Sequence, residues 1–512
     1  MISRAYSAGL TGADGYEITV ECDLQNRLFQ FEMVGLPDAA VKEAKERVRS
    51  ACLNSGFTFP DTAVIINLAP ADKRKEGTAY DLAVLMALLA GTGVLEGGSI
   101  ADSTFIGELS LSGEVRAVNG VLCRVIAARD AGRHTAYVPC ENAEEAAVVD
   151  GIDVYGVPDV RSLVEHLQGK SSLERARFDP DDFISAAEEV CADFADVRGQ
   201  EFAKRAVEIA AAGGHNILLI GPPGTGKSML ARRIPGILPP MTFGEALETT
   251  KIHSVAGILP PHSSLVSKRP FRAPHHTATC AAMAGGGSGN IRPGEVSLAH
   301  NGVLFLDELP EYSKQVTEVL RQPLEDGSIT VTRMSGSATY PSRFTLVCAM
   351  NPCKCGYYGH PTKKCTCSPQ SRQQYMSRVS GPLMDRIDMH VEVRSLTYEE
   401  LSDKKLGESS AVIRERVRAA REFALRRYAE GGDPDITCNA ALTSPQVRKY
   451  CALGEAAAEL LRRAYDSLGL SGRGYDRLLR VARTIADLAG SEEITEEHIL
   501  EAVSLRRLDR GF

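Results

Sequence analysis

Ile217-Leu218-Leu219-Ile220-Gly221-Pro222-Pro223-Gly224-Thr225-Gly226-Lys227-Ser228 sets four apolar residues directly before a glycine-rich turn, and a helical pattern begins at Met229. Strand, turn and helix in that order are the setting a phosphate-binding loop requires. Its glycines let backbone N–H groups curl around phosphates, and the following helix aims its positive end at them. Lys227 is expected to reach the β and γ phosphates, and Ser228 to ligate Mg²⁺. Downstream, the apolar run Val303-Leu304-Phe305-Leu306 ends in Asp307-Glu308. An acidic pair at a strand's carboxyl end suits metal holding by Asp307 and polarisation of water by Glu308. A third run, residues 344–350, delivers Asn351, whose amide can orient a water at the same sheet edge. An Asn-Pro turn signal at Asn351-Pro352 is the competing reading of that residue.

Outward from this loop, 512 residues at roughly 100–200 per domain point to about three or four domains. Apolar residues are 44% and charged residues 24%, a composition that excludes a disordered or fibrous chain. The 58 Lys and Arg against 66 Asp and Glu leave a net charge of −8, which excludes nucleic-acid binding by bulk positive charge. The apolar stretch 82–95 is too short for a membrane span and predicts a buried helix. With no export signal visible, the thirteen cysteines are expected to be reduced in a cytoplasm. Residues 1–170 alternate strand and helix patterns, 171–196 read as a linker, and 197–397 form a second α/β unit. Residues 398–512 read as helical, with breaks at 431–434 and 469–474.

Several motifs together resemble an AAA+ ATPase of the magnesium-chelatase and minichromosome-maintenance branch. They are Gly199-Gln200, the loop at 221–228, the acidic strand at 303–308, Asn351, Ser380-Gly381-Pro382-Leu383-Met384-Asp385-Arg386-Ile387-Asp388 and Ser471-Gly472-Arg473-Gly474-Tyr475-Asp476-Arg477. Phe271-Arg272-Ala273-Pro274-His275-His276-Thr277 and Asn351-Pro352-Cys353-Lys354-Cys355-Gly356 narrow the resemblance to the YifB/ComM family of magnesium-chelatase-like proteins. The resemblance implies a P-loop AAA+ module with a C-terminal helical lid, binding ATP and Mg²⁺. It makes Asn351 sensor 1, Arg386 an arginine finger for a neighbouring subunit's γ-phosphate, and Arg473 sensor 2, with Arg378, Arg477 and Arg480 as competing arginines. It also implies a hexameric ring moving on single-stranded or branched DNA, in branch migration and uptake of transforming DNA. A magnesium-chelatase motor subunit and a protein remodeller are the alternatives.

Residues 1–170 resemble the Lon protease catalytic fold. In that alignment the serine position falls on Ala79 and the lysine position near Leu122, and neither side chain can act as nucleophile or base. Proteolysis is therefore not expected, and the unit reads as a binding or ring-forming platform. Lys42, Lys45, Arg47 and Arg49 interleave with Glu43 and Glu46, which reads as a solvated face.

Within the loop 353–367, Cys353-x-Cys355 and Cys365-x-Cys367 flank His360. Four thiolates suit tetrahedral zinc, and a short segment with little apolar content otherwise lacks a core to fold around. A metal-free reduced loop and a redox switch remain open at this stage. Residues 329–333 and 338–340 flank Met334-Ser335-Gly336-Ser337 and predict a β-hairpin, which lines the pore in related ring helicases. Arg333, Arg343, Lys268, Arg269, Arg272 and Arg292 are candidate phosphate contacts, since a ring repeats each one. The arginine-rich helix 411–428 reads as a charged, solvated face.

Overall fold

A computed structural model describes residues 2–181, 183, 192–287, 291–333, 336–402 and 407–506. Part of the expected linker, the hairpin tip Met334-Ser335, part of the glycine-rich loop 285–294 and the tail after 506 lie outside the described residues.

The amino-terminal half is built on a seven-stranded sheet. Strands β1 (Ile2–Thr11) and β2 (Asp14–Gln25) pair antiparallel through the turn at Gly12, whose φ is +64°. Next in the chain come β3 (Gln30–Val34), β4 (Ala63–Ala69), β5 (Ser103–Phe105), β6 (Thr135–Pro139) and β7 (Asp153–Val157). They lie in the order β3-β4-β2-β1-β5-β6-β7. The stretch too short for a membrane is the helix α1 (Asp81–Gly91), buried from Asp81 through Leu89, because a helix apolar on all sides must sit inside a core. Helix α2 (Val121–Asp130) carries Leu122, which is fully buried, as Ala79 nearly is. No nucleophile or base stands at either position.

The second half centres on five parallel strands: β8 (Ile217–Ile220), β9 (Phe271–Arg272), β10 (Val303–Leu306), β11 (Thr345–Met350) and β12 (Met389–Glu392). Their order is β9-β10-β11-β8-β12, so β8 lies between the strand ending at Asn351 and the last strand. The chain leaves β8 towards one side of the sheet and returns to its other side at β12, and ligand crevices form at the strands' carboxyl ends beside such a strand. The runs 217–220, 303–306 and 345–350 are buried residue after residue, as a parallel sheet covered on both faces demands. Beyond 398 the described residues are helical, with α3 (Ser410–Glu430), α4 (Glu455–Leu468) and α5 (Gly472–Leu488) packed against the sheet's flanking helices. Among the described residues no helix is long and apolar enough to cross a membrane, and every cysteine carries a free thiol.

The helix 411–428 is less solvated than its composition predicts. Arg421 donates to the Ala211 and Ala212 carbonyls, and Arg416 pairs with Glu208 and Glu408. Arg427 and Arg483 share the buried Asp487, which also accepts from Asn439 Nδ2 at 2.8 Å. Removing that carboxylate leaves Arg427 without its buried partner, while Arg483 keeps the Ser491 and Glu492 carbonyls. Asp487→Ala is expected to destabilise the lid by about 3–5 kcal/mol, moving the first urea transition to lower concentration. An unmoved transition would show the cluster to be dispensable.

The two α/β units are docked. Gly120, at the start of α2, donates its N–H to the Ser254 carbonyl at 3.0 Å, and Ser254 Oγ donates to Glu145 Oε2 at 2.7 Å. The predicted hairpin exists, 328–333 antiparallel to 336–341, and a side chain added at Gly12 would meet the Ala338 side chain at 3.0 Å.

Candidate nucleotide-hydrolysis site

Loop 221–228 turns sharply because Gly224 and Gly226 adopt φ of +80° and +90°, where a side chain strains the backbone. A Cβ on Gly221 would stand 2.1 Å from the Val393 carbonyl oxygen, so nothing larger fits beside the last strand. Gln200, itself at φ +60°, donates from Nε2 to the Thr225 carbonyl at 3.3 Å and the Arg394 carbonyl at 2.6 Å, tying the loop to the chain leaving the sheet.

A cleft of about 380 Å³ opens here, lined by residues of the loop together with Asp307, Glu308, Met350 and Asn351. Lys227 Nζ donates to the Gly221 and Pro222 carbonyls at 2.7 and 2.9 Å and to Asn351 Oδ1 at 3.3 Å. Burial pulls its ammonium below the ordinary lysine value, opposed by Asp307 and Glu308. Ser228 Oγ donates to Asp307 Oδ2 at 2.7 Å. A hydroxyl and a carboxylate at that separation are the hard oxygen donors Mg²⁺ takes, alongside water and phosphate. Mg²⁺, when bound with ATP, neutralises charge on the β and γ oxygens.

Glu308 is a non-glycine residue in the left-handed region, φ +52°, and its N–H donates to Asp307 Oδ1 at 2.9 Å. Backbone outliers of this kind persist where the surroundings enforce them. Glu308 lines the cleft, and its carboxylate, 58% exposed, lies 3.5 Å from His276 Nδ1. His276 lies against His275 with ring centroids 4.1 Å apart and the rings tilted by 34°. No local sequence pattern assigns His276 this position; the run Phe271-Arg272-Ala273-Pro274-His275-His276 is its only signal.

The fold thus gathers Lys227, Ser228, Asp307, Glu308 and Asn351 at one edge, and leaves both late arginines away from it. Arg386 is 7% exposed, bound to Glu325 and to the Pro382 carbonyl, so its guanidinium points inward rather than out towards another subunit. Arg473 is exposed on the first turn of α5 and does not line the cleft. Of its competitors, Arg477 is buried 3.5 Å from Asp388, Arg480 donates to the Ala440 carbonyl, and Arg378 pairs with Glu311 at 3.0 Å.

Two of the candidate phosphate contacts are corrected by the structure. Arg269 is held by the Pro239 and Asn301 carbonyls and by Glu245 at 2.9 Å, and Arg272 makes a two-pronged pair with Glu295 at 2.6 and 2.7 Å. Their charge is spent inside the fold. Arg292, Arg333 and Arg343 stay exposed, Arg333 donating to the Thr332 and Gly285 carbonyls.

Beyond Asn351 the four loop cysteines converge, with all four sulfurs within 4.8 Å of one another. Cys353, Cys355 and Cys365 are mutually 3.4–3.7 Å apart at Sγ. A tetrahedral ion with bonds of about 2.3 Å sets its sulfurs about 3.8 Å apart, so the set fits one metal. Backbone N–H groups of Tyr357 and Thr366 pull the Cys355 thiol down towards thiolate, whereas burial pushes Cys353 up. His360 receives the Thr362 and Lys363 N–H groups on Nδ1 and is not among the converging ligands.

The chain matches the family described as Magnesium chelatase, subunit ChlI, over residues 193–401, Subunit ChlI of Mg-chelatase over 20–142, and Magnesium chelatase, subunit ChlI C-terminal, over 407–506. It is 43% identical to the protein YifB of Escherichia coli (strain K12) over 514 residues, covering 99% of this chain and 98% of YifB. The competence protein ComM of Haemophilus influenzae is 41% identical over 512 residues, again 99% and 98% of the two chains. The magnesium-chelatase 38 kDa subunit of Acidiphilium rubrum is 27% identical over 212 residues, 41% of this chain and 52% of that one.

Proposed function

Because the chain belongs to the YifB/ComM family of magnesium-chelatase-like proteins, we propose that it is a Mg²⁺-dependent AAA+ ATPase whose subunits assemble into a hexameric ring and drive DNA through it. One observation carries the hydrolytic part: Lys227, Ser228, Asp307, Glu308 and Asn351 meet in one cleft at the carboxyl ends of adjacent parallel strands. The name of the ComM relative supports a role in competence, where branch migration of recombination intermediates is the work such a motor would do. The exposed Arg292, Arg333 and Arg343, repeated around a ring, supply a basic lining to an acidic protein. In this reading 1–170 is a Lon-like platform, 171–196 a linker, 197–397 the ATPase core and 398–512 the lid. The protein works in the cytoplasm, and zinc occupies Cys353, Cys355, Cys365 and Cys367 in a structural role, since four sulfurs leave no open position.

The magnesium-chelatase subunits matched by the sequence favour a second reading, a motor that serves a metal-inserting partner. ATP turnover measured with and without single-stranded or branched DNA, over a salt series, separates the two. DNA-stimulated turnover that fades with salt is expected. Indifference to DNA, with stimulation only by a partner protein, would overturn the DNA reading.

A further inference from the structure

The cysteine loop is joined to the nucleotide cleft at both of its ends. It begins two residues after Asn351, with Cys353 fully buried. Its first turn, closed by the Gly356 N–H on the Cys353 carbonyl at 2.9 Å, lies directly on the phosphate loop. A Cβ on Gly356, where φ is +84°, would stand 2.8 Å from Pro223 Cδ and 3.9 Å from Asn351 Cγ. At the far end Arg372 donates to the Cys367 carbonyl at 3.4 Å and lies 4.2 Å from the centre of the Tyr358 ring. The helix that follows, Pro369–Met376, is capped by Ser368 and buries Tyr375 in the core that also holds Met350, the residue before Asn351. From there Val379, Leu383 and Ile387 pack in the same core as Leu306 and Met350. The covalent path from Asn351 to Arg386 therefore runs through the cysteine loop. That loop has too few apolar side chains to hold its own shape.

We propose that zinc bound by Cys353, Cys355, Cys365 and Cys367 braces Asn351 from behind, so that metal occupancy sets the rate of ATP cleavage while leaving nucleotide affinity nearly unchanged. The physical reason is positional. Affinity comes from the loop's backbone N–H groups and Lys227, which the sheet and helix hold. Cleavage needs the Asn351 amide and the attacking water within a fraction of an ångström of the reacting geometry. The four thiolates crosslink both ends of the segment through one ion, and Lys354, Lys363 and Lys364 offset the negative charge of a tetrathiolate site. The inference rests on the ATPase reading above.

The test uses the full chain purified without chelator, with zinc content, affinity for a fluorescent ATP analogue, turnover and hydrogen exchange measured in parallel. Cys355→Ser with Cys365→Ser is expected to lose zinc and to drop kcat at least about tenfold, with affinity held within about threefold. Exchange over 351–386 should quicken, while 221–228, held by the sheet and helix, should keep its protection. Cys367→His, which keeps a zinc ligand, should retain the metal and most of the turnover. Should the double serine variant fail to fold, the wild-type chain stripped with chelator and reloaded with zinc serves instead: kcat should fall as zinc leaves and return on reloading, with affinity held throughout. A zinc-free chain turning over like wild type overturns the proposal, as does faster turnover after metal loss. Zinc-dependent exchange protection without any hydrolysis in the wild type would instead overturn the ATPase reading alone.

Discussion

Glu308→Gln leaves ATP bound and stops its cleavage: the expected fall in kcat is about 10²–10⁴, with affinity for an ATP analogue unchanged. Glutamine keeps the volume and the left-handed backbone, which the bond from the residue's N–H to Asp307 Oδ1 enforces without help from the side chain. What it loses is a carboxylate able to take a proton from water. Lys227→Ala is the contrasting variant. Lys227 is the one cation among the described residues lining the cleft, so its loss is expected to remove nucleotide binding itself. Equal turnover by wild type and both variants would refute the site. Full turnover by Glu308→Gln alone would move the proton-accepting role to another residue, with Asp307 the nearest carboxylate.

The strands that position this site were legible because parallel strands covered on both faces are written as unbroken apolar runs. The runs 217–220 and 303–306 coincide with strands residue for residue, and 344–350 misses by one. The same logic hid β1. Its stretch Ser3-Arg4-Ala5-Tyr6-Ser7-Ala8-Gly9 has small and polar residues where strand signals expect branched ones, and its ten-residue register with β2 is set by the partner strand and the Gly12 turn. Charge was the least legible property. Arg269, Arg272 and Arg421 read as basic surface in one dimension, but each is consumed by carbonyls or a carboxylate brought in from distant sequence. The meeting of His276 with Glu308 likewise depends on β9 lying next to β10, which no local pattern states. Convergence of the four sulfurs was foreseeable from composition; the seating of Gly356 on Pro223 was not.

The second large effect concerns a charge the cleft does not own. Among the described residues lining the cleft, Lys227 is the one cation, beside two carboxylates, Asp307 and Glu308. Phosphoryl transfer spreads negative charge over the equatorial oxygens, and fixed cations must meet it. Within the chain Arg386 is turned away, its guanidinium buried on Glu325, so it cannot serve the pocket beside it without rearranging. Glu325 is itself 49% exposed whereas Arg386 is 7% exposed, so the guanidinium must leave a buried seat, and only an anion of higher charge offsets that rearrangement. A γ-phosphate presented by an adjoining copy is such an anion. Arg386→Ala is therefore expected to lower kcat by about 10³–10⁵ with nucleotide affinity intact. The decisive measurement mixes two silent proteins. In a ring assembled from Arg386→Ala and Lys227→Ala subunits, some intact pockets of the first face intact arginines of the second, and turnover should reappear in proportion to those junctions. If the two variants co-assemble and remain inactive at every ratio, Arg386 does not act across a subunit boundary, and the missing cation must be sought elsewhere, first at the exposed Arg473 and the half-exposed Arg378.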